Sequence, residues 1–323
     1  MFTPDELPYE DPRNLRRVAI VTGANSGLGY YATLHLYLHG WVVYMFCRNR
    51  EKAESACRRV YKEADGRMRN LPSHAKRGEL LFHELNLTEL KAVDKCAKEF
   101  KKRGEESIDL LINNAGVMAL PPEKTVDGYD IQIHTNHIGP FLLTRLLLPL
   151  IENADGPRIV FVSSIGHYLA TTTVDLSRSY ALFPNILWTW ARYGNSKTAN
   201  IHTAKVLSLK HPHVLSLSVH PGFSLFTGLL TYWTNLPYIG WGFVIFFQIF
   251  NAIFGVSIEE LSFAVLRAAL SPEFTAEKDN GKYLVTYGIE AEPSSAARNM
   301  QFAWRTWLWT ENELNRHGYL LNN

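Results

Sequence analysis

The sequence predicts an α/β chain, a doubly wound parallel sheet in a single domain with an apolar insertion before its last strand. Two observations carry that prediction. Short apolar runs alternate with segments of helical period from Arg17 to Glu290, and the first strand-to-helix turn is rich in glycine, TGANSGLG at 22–29. Alternation of this kind builds right-handed βαβ units whose helices cover both faces of a parallel sheet.

The elements follow in order. RVAIVT reads as the first strand and Gly29 to His39 as a helix. WVVYMF is the second strand, followed by the charged amphipathic helix NREKAESACRRVYKEA. The polar stretch EADGRMRNLPSHAKRGE, with Gly and Pro, is the expected break in order. ELLFHELNL gives the third strand, and TELKAVDKCAKEFKKRG a helix for which Thr88 is the expected N-cap. SIDLLINNAG is a fourth strand, GYDIQIHTNHIGPFLLTRLLLPLI a long helix and PRIVFVSS a fifth strand. NSKTANIHTAKVLSLK is helical, VLSLSVHPG a sixth strand, and KDNGKYLVTYG carries a seventh. Residues 1–16 and the Trp-rich 291–323 read as extensions flanking a domain at 17–290.

Composition narrows the partners. With 46% hydrophobic and 20% charged residues the chain has ample core, and a net charge of +2 argues against a nucleic-acid partner. Cys47, Cys57 and Cys96 have neither paired nor metal-like spacing, so reduced thiols facing the cytosol and no metal are expected. The N-terminal MFTPDELPYEDPRNLRR lacks an apolar stretch, so it reads as neither a signal nor a transit peptide.

Glycines between strand and helix let the backbone approach a pyrophosphate, for which the helix N-terminus supplies N–H groups and a positive dipole end. A tight loop without a ligand would use the same residues. In YGNSK, Tyr193 and Lys197 are four apart and share a helical face. An ammonium beside a phenol favours the phenolate, so a lowered tyrosine pKa is expected, suited to proton transfer near neutral pH. Ser164 ends the fifth strand, where open α/β sheets place their ligand crevice.

Seven segments in order, TGANSGLG, CRN at 47–49, NNAG at 113–116, TNHIGPFLLT at 135–144, VSS at 162–164, YGNSK at 193–197 and HPG at 220–222, resemble the short-chain dehydrogenase/reductase family. Within it the chain is similar to the retinol-dehydrogenase-like branch and to fungal lipid-droplet-associated oxidoreductases, over roughly Arg17 to Tyr287. The resemblance implies a Rossmann-type fold and a catalytic set of Asn136, Ser164, Tyr193 and Lys197. In it Tyr193 exchanges the proton, Ser164 (rather than Ser163) orients the carbonyl, and Asn136 holds a water against Lys197. It implies cofactor contacts from Gly23, Asn25, Ser26, Gly27, Leu28, Gly29, Arg48, Asn86, Asn114, Tyr193, Lys197, Pro221 and Gly222. The residues between Ser164 and Tyr193 are an insertion expected to wall the substrate pocket.

The second strand is followed by FCRNREK, with no acid before Glu51 to bind a ribose diol. Arg48 can instead pair with a 2′-phosphate through its planar fork, which favours NADP(H). Where the family usually has Asp after the third strand, this chain has Asn86.

From His211 to Ile258 there is no Asp, Glu, Lys or Arg. A single membrane crossing would put the seventh strand on the wrong side of the bilayer from its sheet. A substrate lid and an interfacial helix both remain, within an apolar segment at 223–258. Trp233, Trp241 and Tyr238, and the C-terminal FAWRTWLWTENEL with Arg305, suit the headgroup level. The expectation is therefore an oxidoreductase for a hydrophobic carbonyl or alcohol (retinoid, steroid or long-chain lipid) on the cytosolic face of a lipid droplet or the endoplasmic reticulum. A trafficking scaffold with little turnover is the alternative, and a homodimer is left open.

Overall fold

A computed structural model describes residues 2–170, 185–224, 231–236 and 240–319. Among them eight strands form one sheet: β1 (Val18–Thr22), β2 (Val42–Cys47), β3 (Glu79–Glu84), β4 (Leu110–Asn113), β5 (Arg158–Val162), β6 (Leu215–Val219), β7 (Tyr283–Val285) and β8 (Ile289–Glu290). Their spatial order is β3-β2-β1-β4-β5-β6-β7-β8. All pairings are parallel except β7 with β8. The chain reverses its winding direction between β1 and β4, which opens a crevice above the carboxyl ends of the strands. This is a single Rossmann-like α/β domain.

The helices are α1 (Gly27–Leu38), α2 (Arg50–Arg67), α3 (Leu90–Lys101), α4 (Ile131–Ile133), α5 (Gly139–Glu152), α6 (Asn185–Lys210), α7 (Thr231–Thr234), α8 (Gly240–Phe254), α9 (Ile258–Leu270), α10 (Ala276–Asp279), α11 (Ser295–Arg298) and α12 (Met300–Arg316). Strand side chains alternate between two cores. Ala19, Val21, Val43 and Met45 pack with α1, α2 and α9. Val18, Ile20, Tyr44 and Phe46 pack with α3, α5, α6 and α12. Burial on both faces is why these strands read as unbroken apolar runs.

Several expectations need correction. The helix after the third strand is not capped by Thr88: its N-cap is Glu89, and the Asp127 carboxylate accepts from the Leu90 N–H at 2.9 Å. The Thr88 hydroxyl is committed instead to Asn86 Oδ1, at 2.8 Å. The stretch expected as a break in order begins inside α2, which runs on to Arg67. Arg67 pairs there with Glu63 one turn back and with Glu259 at the start of α9, so one local and one long-range ion pair hold the end of α2 despite Gly66. β8 was not expected. It is two exposed residues reached through positive φ at Tyr287 (61°) and Gly288 (74°), a turn that leaves no hydrophobic pattern.

The C-terminal tryptophans do not form one surface patch. Trp307 is 1% exposed and packs edge-on to Phe141 of α5, at 4.7 Å between ring centroids. His137 and His202 hydrogen-bond Thr310 and Thr306 of α12, each at 2.8 Å. Buried polar pairs and an aromatic anchor thus fix α12 across α5 and α6.

Candidate active site

A cavity of about 850 Å³ lies over the carboxyl ends of the strands. Every one of the expected site residues except Asn136 lines it, including Gly23, Arg48, Asn86, Asn114, Ser164, Tyr193, Lys197 and Gly222. Asn136 stands just behind the wall, as described below.

The glycine-rich turn is built for close approach. Gly23 and Gly27 adopt φ of 66° and 56°, conformations costly for other residues. A Cβ on Gly29 would stand 2.4 Å from Gly23 O and 2.5 Å from Asn114 Nδ2, so the helix can meet the loop only through glycine. Asn114 ties β4 to β1 by donating Nδ2–H to Thr22 O at 2.8 Å, while Thr22 Oγ1 accepts from the Asn114 and Ala115 N–H groups. α1 starts at Gly27, two residues before the sequence reading put it. Its first-turn N–H groups have no helical partners, and Gly27, Leu28 and Gly29 line the cavity. Arg59 was missed: it donates to Asn25 O at 3.1 Å and stacks over Tyr30, bracing the loop from α2.

Ser163 and Ser164 divide their tasks. Ser163 Oγ donates to Lys197 O at 2.8 Å and joins β5 to α6. Ser164 faces the cavity, accepts from the Gly166 N–H at 3.1 Å and hydrogen-bonds the Tyr193 phenol. Glycines at 166 and 194 let the segment after β5 lie directly on α6. A Cβ on Gly166 would stand 2.7 Å from Tyr193 Cε1, and one on Gly194 2.7 Å from Gly166 O.

Lys197 Nζ donates to Val162 O at 2.9 Å and stands 5.8 Å from the Tyr193 ring centroid. Burial pulls its pKa down to about 8. Burial also pushes the Tyr193 phenol up, to about 12, with only the Ser164 hydrogen bond opposing it. The expected lowering of the tyrosine by the ammonium is therefore reversed. The phenol loses more by leaving water than it gains from an ammonium directed at a backbone carbonyl.

Asn136 lies in a π-helical turn, His134–Ile138, between α4 and α5. Such turns redirect one side chain within a continuing helix and recur at functional sites. Asn136 Oδ1 accepts from the Val117 N–H at 2.8 Å, and Nδ2 donates to Val117 O and Ser196 Oγ, both at 2.9 Å. A Cβ on Gly116 would stand 3.1 Å from Asn136 Oδ1 and 3.3 Å from Lys197 Nζ. Glycine there leaves a polar gap between them.

The opposite wall is apolar, with Met118, Leu120, Trp190, Phe243 and Phe247 among its residues. Trp233, expected at a membrane interface, is instead 2% exposed, stacks on Trp190 and meets Phe243 edge-on. Its Nε1–H donates to Ala119 O at 2.9 Å, and Gln132 Oε1 accepts from the Ala119 N–H at 2.7 Å. Ala119 is thereby held at φ 52°. Behind this wall the buried Arg192 Nε lies 3.0 Å from Asp130 Oδ2. Burial raises the Asp130 carboxyl and lowers the Arg192 guanidinium, so each needs the other to stay charged. None of these partners is marked by local sequence spacing. Tyr238 and half of the insertion expected to wall the pocket, residues 171–184, lie outside the described residues.

The family model for short chain dehydrogenase matches residues 17–174. Short-chain dehydrogenase/reductase drtF of Aspergillus calidoustus is 31% identical, over 97% of this chain and 98% of that protein. Mouse retinol dehydrogenase 12 is 30% identical, over 90% of this chain and 84% of its own. The crystal structure of an uncharacterised protein from Mycobacterium paratuberculosis superposes with a TM-score of 0.68 at 26% identity, covering 97% of both chains. Sequence similarity over nearly whole chains and the structural superposition agree, and the chain belongs to the short-chain dehydrogenase/reductase family, similar within it to the retinol dehydrogenases.

Proposed function

We propose that the chain is an NADP(H)-dependent oxidoreductase interconverting a hydrophobic carbonyl and its alcohol, of retinoid, steroid or long-chain lipid class, at a lipid surface. The observation that supports this most is the meeting of Ser164, Tyr193 and Lys197 in one cavity with the glycine-rich turn and an aromatic wall.

A nicotinamide dinucleotide fits the residues present. The turn at 23–29 and the start of α1 offer N–H groups to a pyrophosphate. Among the described residues Arg48, exposed at the cavity rim, has no ion-pair or hydrogen-bond partner, which leaves its fork free for a 2′-phosphate. When bound, the dinucleotide supplies or accepts the hydride at the carbonyl carbon.

The protein's own residues handle the proton. Ser164 donates to the substrate oxygen and fixes it beside the phenol. Tyr193, protonated at all physiological pH values, gives its proton to that oxygen in reduction. The Lys197 ammonium stabilises the phenolate left behind, and the gap over Gly116 gives Lys197 a route for recovering a proton. Trp190, Phe243 and Phe247 exclude water and select an apolar substrate.

The lipid surface rests on α8. Phe243 and Phe247 point inward, while Trp241, Ile245, Ile249 and Ile253, four apart, are 70, 48, 58 and 67% exposed. A stripe so apolar on both faces of one helix is unusual in water. Among the described residues no helix is long and apolar enough to cross a membrane. α8 therefore lies in the interface with its inner face toward the cavity, so an apolar substrate reaches the site from the lipid.

The cofactor preference is tested by titrating NADPH and NADH against wild type and Arg48→Asp. Wild type should favour NADPH and the variant should reverse the order. A wild type that favours NADH would overturn the NADP(H) assignment.

A further inference from the structure

Tyr193, Lys197 and Asn200 follow one another at helical spacing on α6, so all three project from one face of that helix. Two of them reach the same atom at the end of β5. Lys197 Nζ donates to Val162 O at 2.9 Å, and Asn200 Nδ2 donates to that oxygen at 3.3 Å. A carbonyl can only accept, so the amide nitrogen of Asn200 must be the atom that faces it. Asn200 is 2% exposed, and its Oδ1 closes no hydrogen bond, although His137 of the π-helical turn lies beside the residue. A buried amide oxygen left unpaired is costly, and an apolar side chain of the same branched shape would avoid that cost. Stability alone does not account for an asparagine here. What it contributes is its bond to the carbonyl that holds the Lys197 ammonium.

Two donors on one oxygen compete. Each draws on the same carbonyl dipole, and the partly positive amide hydrogens stand close to the ammonium that shares it. We propose that Asn200 is a positioning residue for Lys197: by occupying Val162 O it loosens the ammonium's tether to that carbonyl and leaves it free to follow the charge that forms on the Tyr193 phenol. The inference rests on the proton-transfer roles given to Tyr193 and Lys197 above. With the amide gone, Lys197 would hold Val162 O without this rival, more firmly in place and more firmly in its charged form. The surroundings offer no other charge to do this. Around Lys197 stand the Tyr193 ring, Gly116 and, across the gap over that glycine, Asn136, and burial alone lowers the lysine pKa. Ser163 binds its backbone and is neutral. His137 stays neutral across the working range, because burial pulls it down to about 3.

The test is the pH profile of kcat for NADPH-dependent reduction of a long-chain aldehyde, in wild type, Asn200→Leu and Asn200→Asp. Asn200→Leu keeps the branched shape and removes both polar atoms. Its kcat at neutral pH should fall by about fivefold, because the ammonium no longer moves freely to the phenolate. Its alkaline limb, the pH at which the rate declines as Lys197 loses its proton, should move up by about half a pH unit or more, the effect of removing one adjacent donor dipole. Asn200→Asp has the same shape and sets an anion beside the ammonium, so its limb should move further up; it also serves where the leucine variant does not fold. A purely structural role would slow the enzyme without moving the limb. A limb unmoved or moved down in the folded variants would therefore overturn the proposal, whatever happens to kcat, while leaving Lys197 its part in the reaction. A wild-type profile with no alkaline limb would overturn this inference and the role of the Lys197 charge together.

Discussion

Gly166→Ala adds one methyl group and tests whether the position of the Tyr193 ring controls turnover. The new Cβ would stand 2.7 Å from Cε1 and 2.9 Å from Cδ1 of Tyr193. Carbon atoms rest about 3.5–4.0 Å apart, so the ring and the loop must separate by roughly 1 Å. Tyr193 is buried on a long helix, and the loop bearing Gly166 is pinned through Ser164. Neither can yield freely, and overpacking of this kind costs about 1–3 kcal/mol. Misplacement of a reacting group by about 1 Å costs on the order of a hundredfold in rate. Steady-state kinetics with NADPH and a long-chain aldehyde should therefore show kcat down by roughly that factor. The dissociation constant for NADPH should change little, because the cradle at 23–29 is untouched. Gly66→Ala in α2, where a Cβ meets nothing within 4 Å, is the control and should leave kcat unchanged. A kcat for Gly166→Ala within threefold of wild type would refute the reasoning.

The depressed pKa of Lys197 predicts opposite pH trends for activity and stability. As pH rises through about 8 the ammonium loses its proton, so carbonyl reduction should fall above that pH; a rate flat to pH 10 would show that its charge is not needed. Between about 8 and the ordinary lysine value of 10.5 the folded state holds fewer protons than the unfolded chain, so this group's contribution to stability rises with pH, as denaturant titrations can show. On α8, Ile249→Glu with Ile253→Glu should abolish co-flotation with phosphatidylcholine vesicles while leaving NADPH affinity intact, since both side chains face away from the cavity. Undiminished flotation would remove α8 as the lipid contact.

Patterns set by local physics were legible in the sequence. The strands carry their apolar runs because both faces of the sheet are covered, and Tyr193 and Lys197 share a face because they are one helical turn apart. Asn136 was visible in its motif, but the π-turn that aims it was not, since no residue type encodes the inserted bond. Long-range partners were also hidden. Asp130 and Arg192 form their ion pair 62 positions apart, and Arg67 finds Glu259 only once α2 and α9 pack on the same face. The tryptophans misled for a related reason. Trp233 and Trp307 are as apolar as an interfacial anchor, and only tertiary structure shows that one packs behind the cavity's apolar wall and the other pins α12. The tyrosine pKa was misjudged because a four-residue spacing gives proximity without giving burial.

The central claim is that Tyr193 moves the proton in a reaction whose dinucleotide occupies the same cavity. Its most direct test is Tyr193→Phe, assayed for NADPH binding by fluorescence and for reduction of a long-chain aldehyde or retinaldehyde on the same preparation. Only a hydroxyl is lost, so NADPH affinity should stay within a few-fold of wild type while kcat falls by at least a hundredfold, the lower range of general acid catalysis. Turnover within a few-fold of wild type, with NADPH still bound, would contradict the account.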